Sequence, residues 1–224
     1  YEIPADADYF HCTSNNTIFG TQMKDFPNTN IPIVCDMSSD IFSRQLDFSK
    51  FDLIYAGAQK NMGPAGVTLV VVKEEILGKT GRAIPNILNY QQHIDKESMY
   101  NTPAVFAVYT SLLTLQWLKN LGGIPAIEKI NEAKAKLLYA EIDRNPLFIG
   151  TAVAEDRSNM NATFLLKDET QAAAFDKLWK DAGISGLSGH RSVGGYRASM
   201  YNALPLESVQ VLVDVMQEFE KTIS

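Results

Sequence analysis

Two kinds of hydrophobic pattern follow one another along the chain. In the first half, short and nearly continuous apolar runs occur at residues 9–14, 31–36, 53–59 and 66–73. Such runs predict strands covered on both faces, as in the parallel sheet of an α/β protein. Only the turn Asn61–Ala65 separates the last two runs. Because this turn is too short for a parallel crossover, we expect that pair to be antiparallel.

The second half shows helical spacing. Residues 103–123 begin with a proline and end with two glycines, which predicts a helix with a marked start and stop. Apolar positions recur at helical spacing between residues 124 and 143. A strand at 161–167, a helix at 169–183, a strand at 192–200 and a last amphipathic helix are predicted to follow. This order predicts a small α/β domain joined through the helix at 124–143, and we expect residues 80–103 to form an extended loop.

Composition narrows the class of protein. The 224 residues are 46% hydrophobic and 21% charged, which is typical of a globular protein. The net charge of −6 and the lack of a basic stripe argue against a nucleic-acid partner. No apolar run approaches the roughly 18 residues of a membrane span. No metal is expected, because the three histidines lack the spacing of metal ligands. We interpret Cys12 and Cys35 as reduced thiols of a cytoplasmic protein.

Lys60 lies between two apolar runs, in the stretch LIYAGAQKNMGPAGVTLVVVK. A lysine at the end of a buried strand can form a Schiff base with a carbonyl when its surroundings depress its pKa. Pyridoxal phosphate is held in this way, together with an acid at its pyridine nitrogen. Asp36 ends the preceding run, and parallel strands end at one edge of a sheet. Taken alone, the two residues leave open a surface lysine and a helix-capping acid.

Five motifs carry a family resemblance. In chain order they are HCTSNNTIFGTQ, DMSS, YAGAQKNMGPAG, NTP and GHRSVGGYRASMYNA. They resemble the phosphoserine aminotransferase family, which belongs to the class V, fold-type I enzymes that depend on pyridoxal phosphate. The resemblance covers essentially the whole chain, and the third and fifth motifs are specific to that family.

The resemblance implies a fold. The chain is expected to be the C-terminal portion of a fold-type I transferase. Residues 1–125 would be part of the large, mainly parallel α/β domain that binds pyridoxal phosphate, and residues 126–224 a small α/β domain that closes over substrate. Family members are longer at the N-terminus, and there they carry a glycine-rich phosphate cradle and an aromatic that stacks on the pyridine ring. We therefore expect this chain to be a piece of a longer protein.

The resemblance also implies an activity. The family exchanges an amino group between L-glutamate and 3-phosphohydroxypyruvate, giving O-phospho-L-serine and 2-oxoglutarate in serine biosynthesis. A related phosphorylated keto acid of pyridoxine biosynthesis is a further candidate substrate. The expected assembly is a cytoplasmic homodimer. Two alternatives stay open: another fold-type I aminotransferase or lyase with a different side-chain pocket, and a non-catalytic fragment that only forms dimers.

Cofactor contacts follow from the resemblance residue by residue. Lys60 would bond to the cofactor aldehyde and carry the proton between the substrate Cα and the cofactor C4′. Asp36 would pair with the pyridine nitrogen, Thr17 with the phenolic oxygen and Gln59 with the phosphate. The residues implied to reach the partner subunit's cofactor phosphate are Asn101 and Thr102. Ahead of a proline, these two also fit the start of a helix, whose N-terminus attracts phosphate.

Substrate contacts are implied near the C-terminus. Arg197 would hold the substrate α-carboxylate in a bidentate pair. His190 and Arg191 would bind the substrate phosphate. The pair Gly194–Gly195 would permit the close approach of a ligand to the backbone. Ser38 and Ser39 are candidates for further hydroxyl donors.

Overall fold

The structure is a computed structural model that describes residues 2–223. The first half contains β1 (Phe10–Thr13), β2 (Asn15–Asn16), β3 (Thr21–Gln22), β4 (Ile33–Asp36), β5 (Leu53–Gly57) and β6 (Thr68–Val72). Four of these strands form a sheet in the order β1-β4-β5-β6. The first three are parallel, and β6 runs antiparallel to β5, as the short turn predicted. The segment between β1 and β4, predicted as a loop, contains the small antiparallel hairpin β2–β3.

One face of this sheet forms a core. The side chains of Ile33 and Cys35 on β4 are buried, as are those of Ile54 and Ala56 on β5. The alternate positions of both strands, including Asp36, are only half-buried. Within residues 2–223, the second face of these strands is therefore only partly covered. Polar side chains of the candidate site lie on that face.

Three helices follow the sheet. They are α1 (Tyr90–Ile94), α2 (Val105–Asn120) and α3 (Ile124–Arg144). The predicted extended loop at 80–103 is wrong where α1 and a 3₁₀ turn at Asn86–Leu88 interrupt it. Asn89 starts α1 by accepting a hydrogen bond from the backbone of Gln91. Gly122 and Gly123, both with positive φ, separate α2 from α3 as predicted.

The remaining elements form a second sheet with its own core. They are β7 (Phe148–Gly150), β8 (Asn161–Leu166), α4 (Ala172–Asp181), β9 (Tyr196–Ser199) and α5 (Leu206–Ile223). The strands pair antiparallel in the order β7-β8-β9. The short strand β7 was not predicted, and the glycines expected within β9 lie in the turn before it. The core between this sheet and the helices contains Leu138, Ile142, Phe148, Phe164, Phe175, Trp179, Met216 and Phe219.

The two cores agree with a two-part chain. The first core lies between residues 10 and 69, and the second between residues 135 and 219. The domain boundary at residues 125 and 126 stays a prediction. No helix within residues 2–223 is long and apolar enough to cross a membrane.

Lys134 on α3 is fully buried between the second core and the segment after β9. Its ammonium donates hydrogen bonds to the backbone carbonyls of Met200, Tyr201 and Leu204 at 3.1, 2.9 and 3.0 Å. Burial penalises the charged form and lowers the pKa of Lys134 to about 8 from its ordinary 10.5. The lysine thus fixes the chain directly after β9, at the cost of a desolvated charge.

The contribution of Lys134 to stability should depend on pH. Between the lowered folded pKa and the ordinary unfolded pKa, the unfolded state binds more protons, so the free energy of unfolding rises with pH. We expect the free energy of unfolding of the wild type, measured by chemical denaturation, to rise by about 2 kcal/mol relative to that of Lys134→Met between about pH 7.5 and about pH 9.5. Lys136→Met, an exposed position on the same helix, should show no such change. A difference that shrinks with pH would contradict the assignment.

Candidate active site

Lys60 lies in the turn after β5, at the C-terminal edge of the parallel strands. The turn is closed by backbone hydrogen bonds from Met62 and Gly63 to the carbonyl of Ala58, at 3.1 and 2.9 Å. The half-buried ammonium of Lys60 lies 2.6 Å from Ser39 Oγ and 3.3 Å from Thr17 Oγ1. These two hydroxyls are 2.7 Å apart. An amine and two hydroxyls thus meet at one point, so the structure brings Thr17 and Lys60 together.

Asp36 ends β4 at the same edge. Because β4 and β5 are parallel, Asp36 is in register with Tyr55, and it is also in register with Thr13 on β1. Its Oδ1 atom accepts a hydrogen bond from the backbone of Ser38 at 2.8 Å. This bond orients the carboxyl group on the half-buried face of the sheet. The expected common edge of Asp36 and Lys60 is observed.

A buried carboxylate follows Ser39 directly in the chain. Asp40, next to Ser39, accepts hydrogen bonds from the side chains of Ser14 and Gln22. It also forms an ion pair with Arg44 at 3.3 Å. Since the carboxylate is 1% exposed and has several donors, it fixes the turn that directs Ser39 at Lys60.

The loop that carries Thr17 is tied to the second sheet. The Asn15 amide donates to Asn161 Oδ1 at 2.8 Å, and Ser158 Oγ donates to Asn15 Oδ1. Thr163 Oγ1 donates to the carbonyl of Phe19 at 3.0 Å. These contacts connect β2 and the residues after it with β8. The position of Thr17 therefore depends on residues of the second half of the chain.

Arg197 projects from β9, opposite Thr163 on β8. Its side chain is half-buried, and its Nε atom is buried without a hydrogen-bond partner among residues 2–223. A buried guanidinium donor of this kind is suited to an anionic ligand that supplies the missing acceptor. The arrangement fits the predicted carboxylate contact.

His190 and Arg191 lie in the turn before β9. The backbone amides of Val193 and Gly194 donate to the carbonyl of His190 at 2.9 and 2.8 Å, which closes the turn. His190 Nδ1 lies 2.6 Å from Ser192 Oγ, and Arg191 is exposed. Both predicted phosphate ligands are thus presented by one tight turn.

The pair Gly194–Gly195 has a packing role that the sequence did not reveal. A Cβ atom at Gly195 would collide with the Leu165 side chain and lie 2.7 Å from the Phe164 carbonyl. At Gly194, by contrast, no atom lies within 4 Å of such a Cβ. Gly195 therefore lets the turn approach β8, whereas the proposed approach of a ligand stays a prediction.

Three predicted residues form no hydrogen bond with the Lys60 side chain within residues 2–223. Gln59 is exposed, and its amide folds back so closely that a side chain at Gly57 would collide with it. Asn101 and Thr102 are exposed, just before α2. Their predicted reach to a partner subunit stays a prediction.

The chemistry of pyridoxal phosphate matches these groups. The cofactor presents an aldehyde, a phenolic oxygen and a pyridine nitrogen, which need an amine, a hydroxyl donor and an acid. Lys60, Thr17 and Asp36 supply that set at one edge of the sheet. The partnerless Arg197 donor adds a place for a carboxylate. The residues present fit the cofactor.

Comparison with known proteins agrees with this geometry. The profile of the family described as aminotransferase class-V matches residues 2–212. The chain belongs to the class-V aminotransferase family. It is 80% identical to the phosphoserine aminotransferase of Flavobacterium psychrophilum over 223 residues, covering 100% of this chain and 63% of that protein. Identity to the phosphoserine aminotransferase of Bacteroides thetaiotaomicron is 58%, over 99% of this chain and 63% of that one.

Solved structures of this aminotransferase family share the fold. The phosphoserine aminotransferase of Bacillus circulans superposes with a TM-score of 0.96 at 43% identity, over 100% of this chain and 62% of that one. The enzyme of Trichomonas vaginalis, solved with pyridoxal phosphate bound, gives a TM-score of 0.92 at 36% identity, over 97% and 62%. The chain therefore spans less than two thirds of the length of these relatives.

Two polar residues on the face of the sheet that bears Asp36 were not predicted. Tyr55 is in register with Asp36, and His11 lies on β1. Their side chains form a hydrogen bond on the half-buried face of the sheet. The sequence shows that His11 and Tyr55 alternate along their strands with apolar residues, Cys12 and Ile54, which are buried. It does not show which strands are neighbours, so the contact between the two polar residues could not be predicted. Ser39 was only a general candidate, and its contact with Lys60 depends on the fold.

The two glycines of the turn before β9 should differ in their tolerance to alanine. Both have positive φ, so either substitution strains the backbone by about 1–2 kcal/mol. Only Gly195→Ala adds a collision with β8, and it should cost at least about 2 kcal/mol more than Gly194→Ala. Chemical denaturation of the two variants measures this difference. Equal losses would show that the approach of the turn to β8 is not as close as described.

Proposed function

We propose that the whole protein transfers an amino group from L-glutamate to 3-phosphohydroxypyruvate, giving 2-oxoglutarate and O-phospho-L-serine for serine biosynthesis. The observation that carries this proposal is the position of the Lys60 amine between two hydroxyls, at the sheet edge that also bears Asp36. The identity of 80% to a phosphoserine aminotransferase supports the choice of substrates. A phosphorylated keto acid of pyridoxine biosynthesis is a second candidate substrate.

The proposed cofactor is pyridoxal phosphate. When bound, it supplies an aldehyde that reacts with amines and a ring that takes up the electrons of a broken carbon–hydrogen bond. Lys60 Nζ then has two tasks: it binds the aldehyde, and it carries the proton that leaves the substrate Cα. Asp36 holds a proton at the pyridine nitrogen, Thr17 donates to the phenolic oxygen, and Gln59 contributes to phosphate binding.

Ser39 is expected to keep Lys60 aligned. Its hydroxyl lies 2.6 Å from the amine, closer than that of Thr17. When Thr17 turns to the cofactor, Ser39 can still hold the amine near its observed position. An amine in a fixed position reacts with the aldehyde, and later with the substrate proton, at a lower entropic cost than a freely rotating one.

Both substrates carry an α-carboxylate, which we assign to Arg197. The phosphate of the keto acid is assigned to His190 and Arg191, which follow one another in the exposed turn before β9. One arginine therefore serves both half-reactions, whereas the turn selects the phosphorylated substrate by its charge.

We further propose a cytoplasmic homodimer. One side of α2 exposes large apolar side chains, and Phe106 near its start is 78% exposed. An apolar helix face of this kind is suited to a protein interface. Asn101 and Thr102 precede that helix, from where they would reach the cofactor phosphate of the partner subunit. Free, buried Cys12 and Cys35 agree with a reducing compartment.

Lys60→Ala should abolish the covalent link to pyridoxal phosphate. In the whole protein, borohydride reduction followed by peptide mapping should find the cofactor on the peptide that contains Lys60. The variant should carry no such adduct and no transaminase activity, because the only proposed amine is gone. Lys50→Ala, which removes an exposed lysine, should behave as the wild type. Full turnover by Lys60→Ala would end the proposal.

The arginines should separate the two half-reactions. Arg197→Ala should lower kcat/KM for both glutamate and the phosphorylated keto acid. The α-carboxylate of each substrate then loses its arginine partner, a contact worth about 2–5 kcal/mol. Arg191→Ala should affect mainly the phosphorylated acid. Arg82→Ala removes an exposed arginine elsewhere and serves as the control. Single-turnover rates for each half-reaction measure the effect, and equal losses with glutamate for Arg191→Ala would exclude a phosphate role.

A further inference from the structure

Three consecutive backbone carbonyls in the loop after Ser39 each accept a hydrogen bond from a different asparagine side chain. All three bonds are 3.0 Å long, and they join the Nδ2 atoms of Asn61, Asn202 and Asn131 to the carbonyls of Ile41, Phe42 and Ser43, in that order. We call these three asparagines the amide clamp. Because each of them is almost fully buried, water does not replace a donor that is lost.

The middle residue of the loop has a backbone conformation that needs support. Phe42 has a φ of 58°, in the left-handed region that is unfavourable for a residue with a side chain. Such a conformation persists only where the surrounding contacts enforce it. The carbonyls of Phe42 and of its two neighbours are the acceptors of the amide clamp. The clamp therefore supplies contacts that hold this conformation, three residues after Ser39.

Asn202 connects the loop of Ser39 with the turn of Lys60. Its side chain donates to the carbonyl of Phe42, and its backbone amide donates to Asn61 Oδ1 at 3.0 Å. Asn61 directly follows Lys60 in the chain. One residue thus contacts both segments whose side chains meet at the 2.6 Å contact between Ser39 Oγ and Lys60 Nζ. A shift of Asn202 would move these two segments relative to each other.

Helix α3 in turn fixes Asn202. Asn131 donates to Asn202 Oδ1 at 2.8 Å. Lys134 lies three residues further on the same face of the helix and donates to the carbonyls of Tyr201 and Leu204, on either side of Asn202. The path from α3 to the two segments that carry Ser39 and Lys60 therefore consists of directional hydrogen bonds between buried groups.

We propose that the amide clamp, with Asn202 at its centre, is a positioning device for the Lys60 amine: it holds Ser39 at hydrogen-bond distance from Lys60 Nζ. The inference deepens the proposed function and rests on it. Within residues 2–223 the asparagines form no hydrogen bond with Nζ, so their effect passes through Ser39. An amine that is less well placed reacts more slowly. The property to measure is therefore the rate at which the apo-protein captures pyridoxal phosphate.

The first test is a double-mutant cycle in the whole protein with Asn202→Ala and Ser39→Ala. Visible absorbance after mixing apo-protein with pyridoxal phosphate gives the second-order rate of covalent capture. Each single substitution should lower this rate about tenfold, because the amine spends less time in place. The double variant should be no slower than the slower single variant, since both changes remove the same contact. A wild-type rate in Asn202→Ala, or losses that multiply to about a hundredfold, would overturn the proposal.

A control variant separates positioning from a general loss of stability. Phe219→Leu removes a buried ring that packs against Phe148 and Phe175 in the second core. It should lower the midpoint of thermal unfolding by leaving a cavity, yet capture the cofactor at the wild-type rate. Slow capture by Phe219→Leu in proportion to its lower midpoint would contradict a specific role of the clamp. If Asn202→Ala does not fold, Asn131→Ala, which removes the donor to Ser43, takes its place in the cycle.

Asn202→Asp provides a rescue that depends on pH. An ionised carboxylate has no proton to donate to the carbonyl of Phe42, whereas a protonated carboxyl group can donate to it and still accept from Asn131. The capture rate of this variant, divided by that of the wild type at the same pH, should therefore approach one as the pH falls. A ratio that stays low at low pH would contradict the assigned hydrogen bond.

Borohydride reduction and peptide mapping separate the failure of this inference from the failure of the proposed function. If the wild type carries the cofactor on the peptide of Lys60 and the Asn202 variants capture it equally fast, only the positioning role is wrong. If the wild type carries no cofactor on Lys60, the proposed site itself is wrong.

Discussion

The site depends on buried asparagine side chains that join the two halves of the chain. Asn61, directly after Lys60, donates to the carbonyl of Ile41 and accepts from the backbone of Asn202 at 3.0 Å in both cases. Asn202 also accepts a hydrogen bond at 2.8 Å from Asn131 on α3. Because each of the three amides is almost fully buried, breaking one of these bonds leaves polar groups without water. The turn of Lys60 is therefore held by the second half of the chain.

This constraint explains how two separate cores produce one site. The amides at Asn61 and Asn202 fix the end of β5 against the segment directly after β9, the strand that contains Arg197. Asn15 and Asn161 make the equivalent connection for the loop of Thr17. Apolar packing alone has little directional preference, whereas an amide pair fixes both distance and orientation. Reacting groups that must meet within a few tenths of an ångström require such directional contacts.

Sequence patterns predicted the elements better than their contacts. Apolar runs predicted the parallel strands β4 and β5, and helical spacing predicted the long helix α3. The short turn before β6 predicted that β6 runs antiparallel to β5. The strand β7 was missed because three residues carry no readable alternation. Ser39 could not be assigned, since a hydroxyl has a role only when the fold places an amine beside it. The relation of Tyr55 to His11 depends on which strands are neighbours, which local pattern does not specify.

The open face of the sheet shows why the polar residues are placed as they are. Had the face been apolar, an acid at the end of β4 would be desolvated and its charged form disfavoured. Instead Asp36 is in register with Tyr55 on the neighbouring strand, and its carboxyl group accepts a hydrogen bond from the backbone amide of Ser38. Donors of this kind replace water around a carboxylate without neutralising it. The carboxyl group of Asp36 is thus already oriented on the face of the sheet that a cofactor ring would cover.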